Sequence, residues 1–243
     1  MASQDLGTLN ANPIHKNSTS GDALDIYKFT IGGASSSNFN LAIHSLSSSS
    51  GNPRAMIFRD SNNSGVFDKG DFQFDPTDSG PGNFQNTIHQ ELKPGTYFAV
   101  VKPTTTFLGS YSIDFSNTAP KQASNIMGAS KPMGSISNSF DFGTNNQVSA
   151  TRTSELYSFS LGKSFGATFM IDGLTDDADM RLINDKNDNH IVDDGEVISS
   201  SIHGGAQPDS LSISGIGNYF LEVYQFSGNA SYKLHVKALS ILF

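Results

Sequence analysis

Apolar side chains recur at every second residue in several short stretches of the chain. Residues 27–31, 97–101, 111–115 and 157–161 each place an aromatic or aliphatic side chain at alternate positions. A period of two is that of a β-strand with one buried face, and turn-forming residues bound the stretches, as they bound strands. No stretch has the convincing apolar spacing of a helix. The pattern predicts an all-β fold whose alternating aromatic residues form the core.

The strand-like stretches occur in two similar sets, which indicates a duplicated unit of about 110 residues, within the usual size of a domain. We therefore predict two tandem antiparallel β-sandwich domains, jelly-roll-like in architecture, over residues 1–117 and 133–243. The segment 118–132 contains prolines and small polar residues and is predicted to be a linker. The matching pairs are residues 24–32 with 154–162, 95–100 with 217–223, and 109–113 with 230–234.

Residues 60–71 have the spacing of a twelve-residue calcium-binding loop. Oxygen-bearing side chains occupy positions 1, 3, 5, 9 and 12 of that loop, while position 7 contributes a backbone carbonyl. Gly65 stands at position 6, where the chain must turn sharply. A hard divalent cation takes several oxygen ligands, and alternate side chains of a tight loop can supply them. The predicted ligands are Asp60, Asn62, Ser64, the carbonyl of Val66, Asp68 and Asp71.

The same spacing returns at residues 185–196. Each loop departs from the ideal once: Asp71 is shorter than the usual glutamate, and His190 replaces the usual glycine. The alternative is that both stretches are polar hairpin turns without metal, because Asp, Asn and Gly are common turn residues. The recurrence at equivalent places favours calcium. The predicted ligands of the second loop are Asp185, Asn187, Asn189, the carbonyl of Ile191, Asp193 and Glu196.

The net charge of −8 argues against nucleic acid or an anionic membrane surface as a partner. No apolar run reaches the length of about 18 residues that a membrane span needs. The first residues show neither the basic nor the apolar region of a signal peptide. A cysteine-free, Ser/Asn/Gly-rich β-protein with calcium loops is nevertheless compatible with bacterial export, since the millimolar calcium outside cells fills weak sites. We expect an extracellular or cell-surface location.

Core aromatic residues and turn glycines of the two units form a recognisable set of motifs. The motifs are residues 25–29, 94–100 and 109–113 in the first unit, and residues 155–159, 177–182, 217–220 and 231–234 in the second. With these motifs each unit resembles the bacterial pre-peptidase C-terminal domain. The first unit departs from that family's paired-aspartate strand, with Asn52, Pro53 and Arg54 instead. The resemblance implies a β-sandwich with a non-catalytic accessory role beside a partner domain such as a peptidase, and relatives bind collagen or polysaccharide.

Each unit is predicted to end in a hairpin with aromatic residues in or beside it. These residues are Phe107 in the first unit, and Tyr224 and Phe226 in the second. Aromatic residues at such tips can stack on sugar rings or grip a peptide. The alternative is that they fold back as a lid over the edge of the sandwich. They are the candidate ligand-binding residues.

Two further stretches carry reactive side chains. Residues 162–166 match the G-x-S-x-G pattern, which makes Ser164 a candidate hydrolase nucleophile. That nucleophile elbow needs a strand, a turn and a helix, whereas strand-like sequence flanks Ser164 on both sides, so a hairpin turn is favoured. Residues 176–179 include three aspartates. A solvated turn is the default interpretation, and a further carboxylate for a cation near the second loop is the alternative.

Together these patterns predict a non-enzymatic, calcium-binding module for adhesion or accessory binding, with Ca²⁺ bracing one hairpin loop in each domain. The first alternative is a module that binds a carbohydrate or a matrix protein and uses calcium only structurally. The second alternative is a hydrolase that uses Ser164.

Overall fold

The computed structural model describes residues 3–18, 24–45, 53–73, 85–102 and 110–240. The regular structure of these residues is β-strand, and they contain no helix, hence none that is long and apolar enough to cross a membrane. The chain divides into two compact units, Met1–Pro120 and Lys121–Phe243. Each unit contains two sheets, so the predicted all-β class with tandem β-sandwiches is confirmed.

In the first unit the two sheets run in the orders β1-β3-β8-β5-β6 and β2-β9-β4-β7, with the bounds that follow. The strands are β1 (Gln4–Thr8), β2 (Ile14–Ser18), β3 (Asp25–Ile31), β4 (Ser37–Ser45), β5 (Arg54–Arg59), β6 (Phe72–Gln73), β7 (Gln85–Leu92), β8 (Gly95–Lys102) and β9 (Tyr111–Thr118).

The second unit has the orders β10-β12-β17-β14-β15 and β11-β18-β13-β16, which repeat those of the first unit strand for strand. The strands are β10 (Lys131–Ser135), β11 (Phe140–Val148), β12 (Ser154–Leu161), β13 (Phe165–Asp172), β14 (Ala178–Ile183), β15 (Val197–Ser201), β16 (Asp209–Ser214), β17 (Gly217–Gln225) and β18 (Ala230–Ser240).

The sheets are not wholly antiparallel. β1 pairs with β3 in parallel, and β10 pairs with β12 in parallel, whereas the other described strand pairs are antiparallel. Each five-stranded sheet therefore has one parallel edge strand. Period-two sequence patterns do not distinguish the direction of a neighbour, because both kinds of pairing place alternate side chains on one face.

The aromatic residues at alternate positions form the cores, as predicted. In the first unit Phe29 is fully buried and stacks on Phe39 with ring centroids 4.7 Å apart. In the second unit Phe159 contacts Phe169 at the same centroid distance. Burial of each such ring contributes roughly 1.5–3 kcal/mol, which makes these rings a large part of the hydrophobic stabilisation of each unit.

A carboxylate lies beside paired tyrosines at the same place in each unit, half-buried at Asp25 and buried at Glu155. Oδ2 of Asp25 accepts a hydrogen bond from the Tyr111 hydroxyl at 2.6 Å. In the second unit Oε2 of Glu155 accepts from the hydroxyls of Tyr157 at 2.8 Å and Tyr232 at 2.7 Å. Burial alone would raise the pKa of Glu155, but Lys131 and these hydroxyl donors outweigh it and lower that pKa. The carboxylate is thus held ionised inside the sandwich.

The predicted linker, 118–132, lies partly inside the second unit. The N–H of Ser124 donates to Oε1 of the buried Glu222 at 3.0 Å, and Met127 is buried. The segment then enters β10 at Lys131. Its apolar residues Ile126 and Met127 explain this packing, because burying them removes apolar surface from water.

The prediction that each unit ends in a hairpin is wrong. β17 pairs with β12 and β14, whereas β18 pairs with β11 and β13 in the facing sheet. β8 and β9 are likewise in different sheets. The connection that contains Phe226 therefore passes from one sheet to the other at the end of the sandwich, and consecutive strand-like segments alone could not reveal this crossover.

Candidate functional site

Residues 60–71 connect β5 to β6, which pair with each other antiparallel. Asp60 is buried, and its two carboxylate oxygens accept from the backbone N–H groups of two consecutive residues in the turn. Oδ1 accepts from Ser64 and Oδ2 from Gly65, each at 2.9 Å. The loop is thus folded around its first carboxylate, as the calcium-loop spacing predicts for position 1.

The later residues of this first loop hold two more carboxylates by hydrogen bonds within the loop. The N–H of Asp68 donates to Oδ2 of Asp71 at 2.8 Å. The amide group of Asn62 donates to both oxygens of Asp68, at 3.0 and 3.1 Å. Hydrogen bonds from the Gly70 backbone and from Asn62 lower the pKa of Asp68, so this carboxylate is ionised at neutral pH.

Residues 185–196 connect β14 to β15, again as an antiparallel pair. Oδ1 of Asp185 accepts from the N–H of Asn189 at 3.3 Å, and its Oδ2 accepts from the N–H of His190 at 3.1 Å. The N–H of Asp193 donates to Oε2 of Glu196 at 3.0 Å. The amide of Asn187 donates to Oδ2 of Asp193 at 2.9 Å.

The two loops therefore share one hydrogen-bond pattern. In both, the position-1 carboxylate accepts from the backbone of positions 5 and 6, the position-3 amide donates to position 9, and position 9 donates to position 12. Position 6 has a positive φ in both loops, 72° at Gly65 and 60° at His190. His190 thus adopts the conformation for which the usual residue is glycine.

Each loop is also fastened to the outer face of its five-stranded sheet by the apolar residue at position 8. Phe67 packs on Ile26, Phe98 and Val100, and its ring centroid lies 5.8 Å from that of Phe98. The equivalent Val192 packs against a second apolar cluster. From the alternating pattern alone, this outer face of the sheet would be expected to be exposed. The loop covers it instead, and an apolar residue at position 8 of an otherwise polar loop is the sequence feature that indicates this contact.

A backbone contact missed by sequence reasoning supports the second loop. The N–H of Met127 donates to the carbonyl of His190 at 2.8 Å, and the N–H of Val192 donates to the carbonyl of Asn125 at 3.0 Å. Ile126 and Ile191 therefore form an antiparallel bridge. The segment before β10 thus holds residue 191, whose carbonyl is a predicted ligand.

The donor atoms of both loops fit a hard divalent cation, since they are carboxylate, amide, hydroxyl and carbonyl oxygens. Oδ1 of Asp71 is buried and has no hydrogen-bond partner among the described residues. A buried carboxylate oxygen without a donor is costly, and a cation at this position would satisfy it. Within the described part of the chain, Asp185, Asp188 and His190 also place ligand atoms within 4.8 Å of one another. Asp188 was not a predicted ligand.

The candidate ligand-binding aromatics have different environments. Phe107 lies outside the described residues. Tyr224 is 8% exposed, whereas Phe226 is 37% exposed and has the Lys121 ammonium 4.7 Å from its ring centroid. Both line a cleft of roughly 350 Å³ in the second unit, together with Lys121, Asp177, Asp179, Ile202 and Gly204.

Buried carboxylates stand at this cleft, contrary to the default expectation of a solvated turn at residues 176–179. Asp177 and Asp179 are 6% and 4% exposed. Oδ2 of Asp177 accepts from the N–H of Gly205 at 2.7 Å, while its Oδ1 is buried without a hydrogen-bond partner among the described residues. The nearby Asp209 is fully buried, and its Oδ1 accepts from the N–H of His203 at 3.0 Å.

The electrostatics of the cleft follow from this crowding. Burial, together with the negative charges of Asp177 and Asp209, raises the pKa of Asp179 to about 6. The Tyr224 hydroxyl hydrogen-bonds to Asp179, and burial with the nearby acidic charges raises the tyrosine pKa as well. Acidic side chains thus cluster at the cleft, while the Lys121 ammonium also lines it and Nδ1 of His203 lies 2.9 Å from Oδ1 of Asp209.

The first unit has different residues at the equivalent positions. Asp179 is the cross-strand partner of Tyr224 in the second unit. At the same register of β5 and β8, the first unit pairs Arg54 with Lys102. Two basic residues thus replace an acid and a tyrosine, and the acidic cleft belongs to the second unit.

Ser164 lies in an exposed turn between β12 and β13, where the N–H of Phe165 donates to the carbonyl of Gly162 at 3.2 Å. These two strands belong to different sheets, so the turn is not the expected hairpin. It is also not a nucleophile elbow, because a strand rather than a helix follows the serine.

No protein family and no curated protein matches the sequence. Among solved structures, the chain is similar to the pre-peptidase C-terminal domain of a Bacillus anthracis collagenase, at 17% identity and a TM-score of 0.35, covering 48% of this chain and 95% of that one. It is also similar to tandem CBM22 domains from Paenibacillus barcinonensis, at 11% identity and a TM-score of 0.30, covering 95% and 92%. The CUB1-EGF-CUB2 domains of human MASP-1/3 are similar at 8% identity and a TM-score of 0.30, covering 93% and 99%. Likenesses this distant carry no argument about ligand or activity.

Proposed function

We propose that this protein is a non-catalytic binding module in which each of two β-sandwich units holds one Ca²⁺ in the hairpin loop of its five-stranded sheet. The ligands are the twelve residues predicted from the loop spacing. The module works outside the cell or at the bacterial surface, where calcium is abundant, as an accessory to an attached catalytic domain such as a peptidase.

The observation that supports this most directly is the shared hydrogen-bond pattern of the two loops. Ordinary turns of different sequence have no reason to repeat the same set of carboxylate and amide contacts at the same positions. Each loop also orders its first carboxylate with two backbone N–H groups, 2.9 Å away in the case of Asp60. Such preorganisation lowers the cost of gathering like charges around one ion.

Isothermal titration calorimetry of the full chain with calcium tests the proposal. We expect two sites in the parent protein, one in Asp60→Ala, one in Asp185→Ala and none in the double variant. Asp194→Asn is the matched control, because Asp194 is an exposed carboxylate within the second loop but is not a proposed ligand. Retention of both sites in the double variant would refute the proposal.

The cleft in the second unit favours a second function, that of a module which binds a carbohydrate or a matrix protein. Tyr224 and Phe226 line the cleft beside buried acceptors, a combination suited to a ligand with donors on an apolar frame. An array of glycans and matrix proteins tests this function. Loss of a hit on Phe226→Ala, with an unchanged melting temperature, would support it, and an array without hits would count against it.

A further inference from the structure

We propose that the cleft lined by Asp177, Tyr224 and Phe226 binds a cationic side chain, lysine or arginine, of a partner polypeptide. This inference specifies the ligand of the second function proposed above and rests on it. It does not depend on calcium in either loop.

The floor of the cleft supplies the first part of the argument. Asp177 lines the cleft, is 6% exposed, and has one carboxylate oxygen without a partner among the described residues. A buried carboxylate oxygen without a partner is costly, and an ammonium or guanidinium group brings both a hydrogen-bond donor and a positive charge.

The walls supply the second part. Ile202 is 68% exposed and Phe226 is 37% exposed, and both border the cleft. An acidic floor with apolar walls matches a long side chain whose methylene stem packs on apolar surface while its charged end reaches the acid. The Lys121 ammonium already lies 4.7 Å from the Phe226 ring centroid, so this aromatic face accepts a cation.

A directly bound calcium ion fits less well. Calcium takes about six to eight oxygen ligands, whereas the apolar side chains of Ile202 and Phe226 and the Lys121 ammonium also line this cleft. A neutral sugar would supply donors to the acidic floor but no positive charge, so the crowded carboxylates favour the organic cation.

The probe for the test is N-acetyl-lysine methylamide, titrated into the isotope-labelled full chain and followed by two-dimensional NMR. We expect saturable shifts at the amides of Gly204, Gly205, Phe226 and Ser227. The matched probe is the same compound acetylated on its ε-nitrogen, which keeps the stem and removes the charge. Its affinity should be lower by about tenfold or more, as expected for the loss of a charged hydrogen bond.

Variants test the floor and the wall separately. Asp177→Asn keeps an acceptor for Gly205 and should weaken the lysine probe by about tenfold. Glu91→Gln removes the same charge from an exposed position in the first unit and should change nothing. Lys121→Ala removes the competing cation from the Phe226 face and should tighten binding by about two- to fivefold.

Equal affinity for the two probes would overturn the inference, and this comparison needs no variant and so does not depend on how a variant folds. Equal affinity of the parent and Asp177→Asn would also overturn it, as would shifts confined to the first unit. Tighter binding of methyl glucoside at the same amides would assign the cleft to sugars instead. The titration is run with calcium and with a chelator, so that failure of the lysine probe is distinguishable from failure of the calcium proposal.

Discussion

The backbone N–H of Asp68 donates to Oδ2 of Asp71 at 2.8 Å, while Oδ1 of Asp71 is buried without a partner among the described residues. The equivalent Glu196 places Oε2 3.0 Å from the N–H of Asp193 and Oε1 2.8 Å from the N–H of Lys186. The longer side chain of Glu196 thus spans two backbone donors, whereas Asp71 reaches one of the two equivalent positions. This difference in reach should appear as a difference in calcium affinity.

We expect Asp71→Glu to raise the calcium affinity of the first loop by about tenfold, because glutamate at position 12 can bind the ion through both oxygens. The reciprocal change, Glu196→Asp, should lower the affinity of the second loop by a similar factor. Calorimetry on the single variants measures both. Equal and unchanged affinities in the two variants would show that position 12 does not ligate the ion.

Chelation should lower the melting temperature of the parent protein. A cation that binds only the folded state adds about 2.7 kcal/mol per site at a hundred times its dissociation constant, which corresponds to several degrees for a unit of this size. Calorimetric scans with calcium, with a chelator, and with the chelator followed by excess calcium measure the effect. The double variant Asp60→Ala, Asp185→Ala is the control and should melt at one temperature in all three conditions.

Asp179 should make the second unit less stable as the pH rises from about 4 to about 6. Its folded-state pKa of about 6 exceeds the ordinary value of 3.8, so within this window the folded protein binds more protons than the unfolded chain. The groups that face this carboxyl are Asp177, Asp209, His203 and Tyr224. The free energy of unfolding lost in this way is at most about 3 kcal/mol at neutral pH, and Asp179→Asn should abolish this loss.

Urea unfolding at several pH values measures this slope as the difference between the parent and Asp179→Asn. The subtraction matters because Glu155 has a lowered pKa and acts in the opposite direction, with stability lost as the pH falls below its ordinary value of 4.5. A parent and a variant with parallel pH profiles would mean that Asp179 ionises normally.

Arg181→Ala should destabilise the second unit by about 3–5 kcal/mol, the usual effect of removing one partner from a buried ion pair. Nε of Arg181 donates to Oε2 of Glu222 at 2.6 Å, and Glu222 is 2% exposed. The guanidinium also donates to the carbonyl of Ser124, so the segment before β10 should loosen as well. Hydrogen exchange at Ser124 and Met127, together with urea unfolding, measures both effects.

The double variant Arg181→Ala, Glu222→Gln should recover part of this loss, since it leaves no unpaired buried charge. A double variant less stable than Arg181→Ala would contradict the explanation by an uncompensated carboxylate.

The all-β class and the core could be predicted because both depend on local periodicity. Alternation identified residues such as Phe29 and Phe159 as buried, and the structure confirms it. The parallel edge strands and the crossover at Phe226 could not be predicted, because the choice of partner strand depends on long-range packing that period-two patterns do not encode. Calcium itself stays a prediction.

The acidic cleft was missed for a different reason. Asp177 and Asp179 were interpreted as turn residues because aspartate is commonly solvated in turns. Their burial depends on Gly205 and Asp209, which arrive from later parts of the chain. The sequence nevertheless contains one signal, the aromatic residues Tyr224 and Phe226. Tyr224 is the cross-strand partner of Asp179, but this pairing becomes visible only in the structure.

The locality of the two loops has a kinetic consequence. All proposed ligands of the first site fall within residues 60–71, whereas β5, which leads into that loop, finds its partner β8 only after a long excursion of the chain. Closing so short a loop costs little chain entropy, so ion capture can precede the slow pairing of distant strands. We therefore expect calcium to accelerate refolding in stopped-flow experiments, in addition to slowing unfolding. Each loop would then act as an early nucleus around which the sandwich assembles.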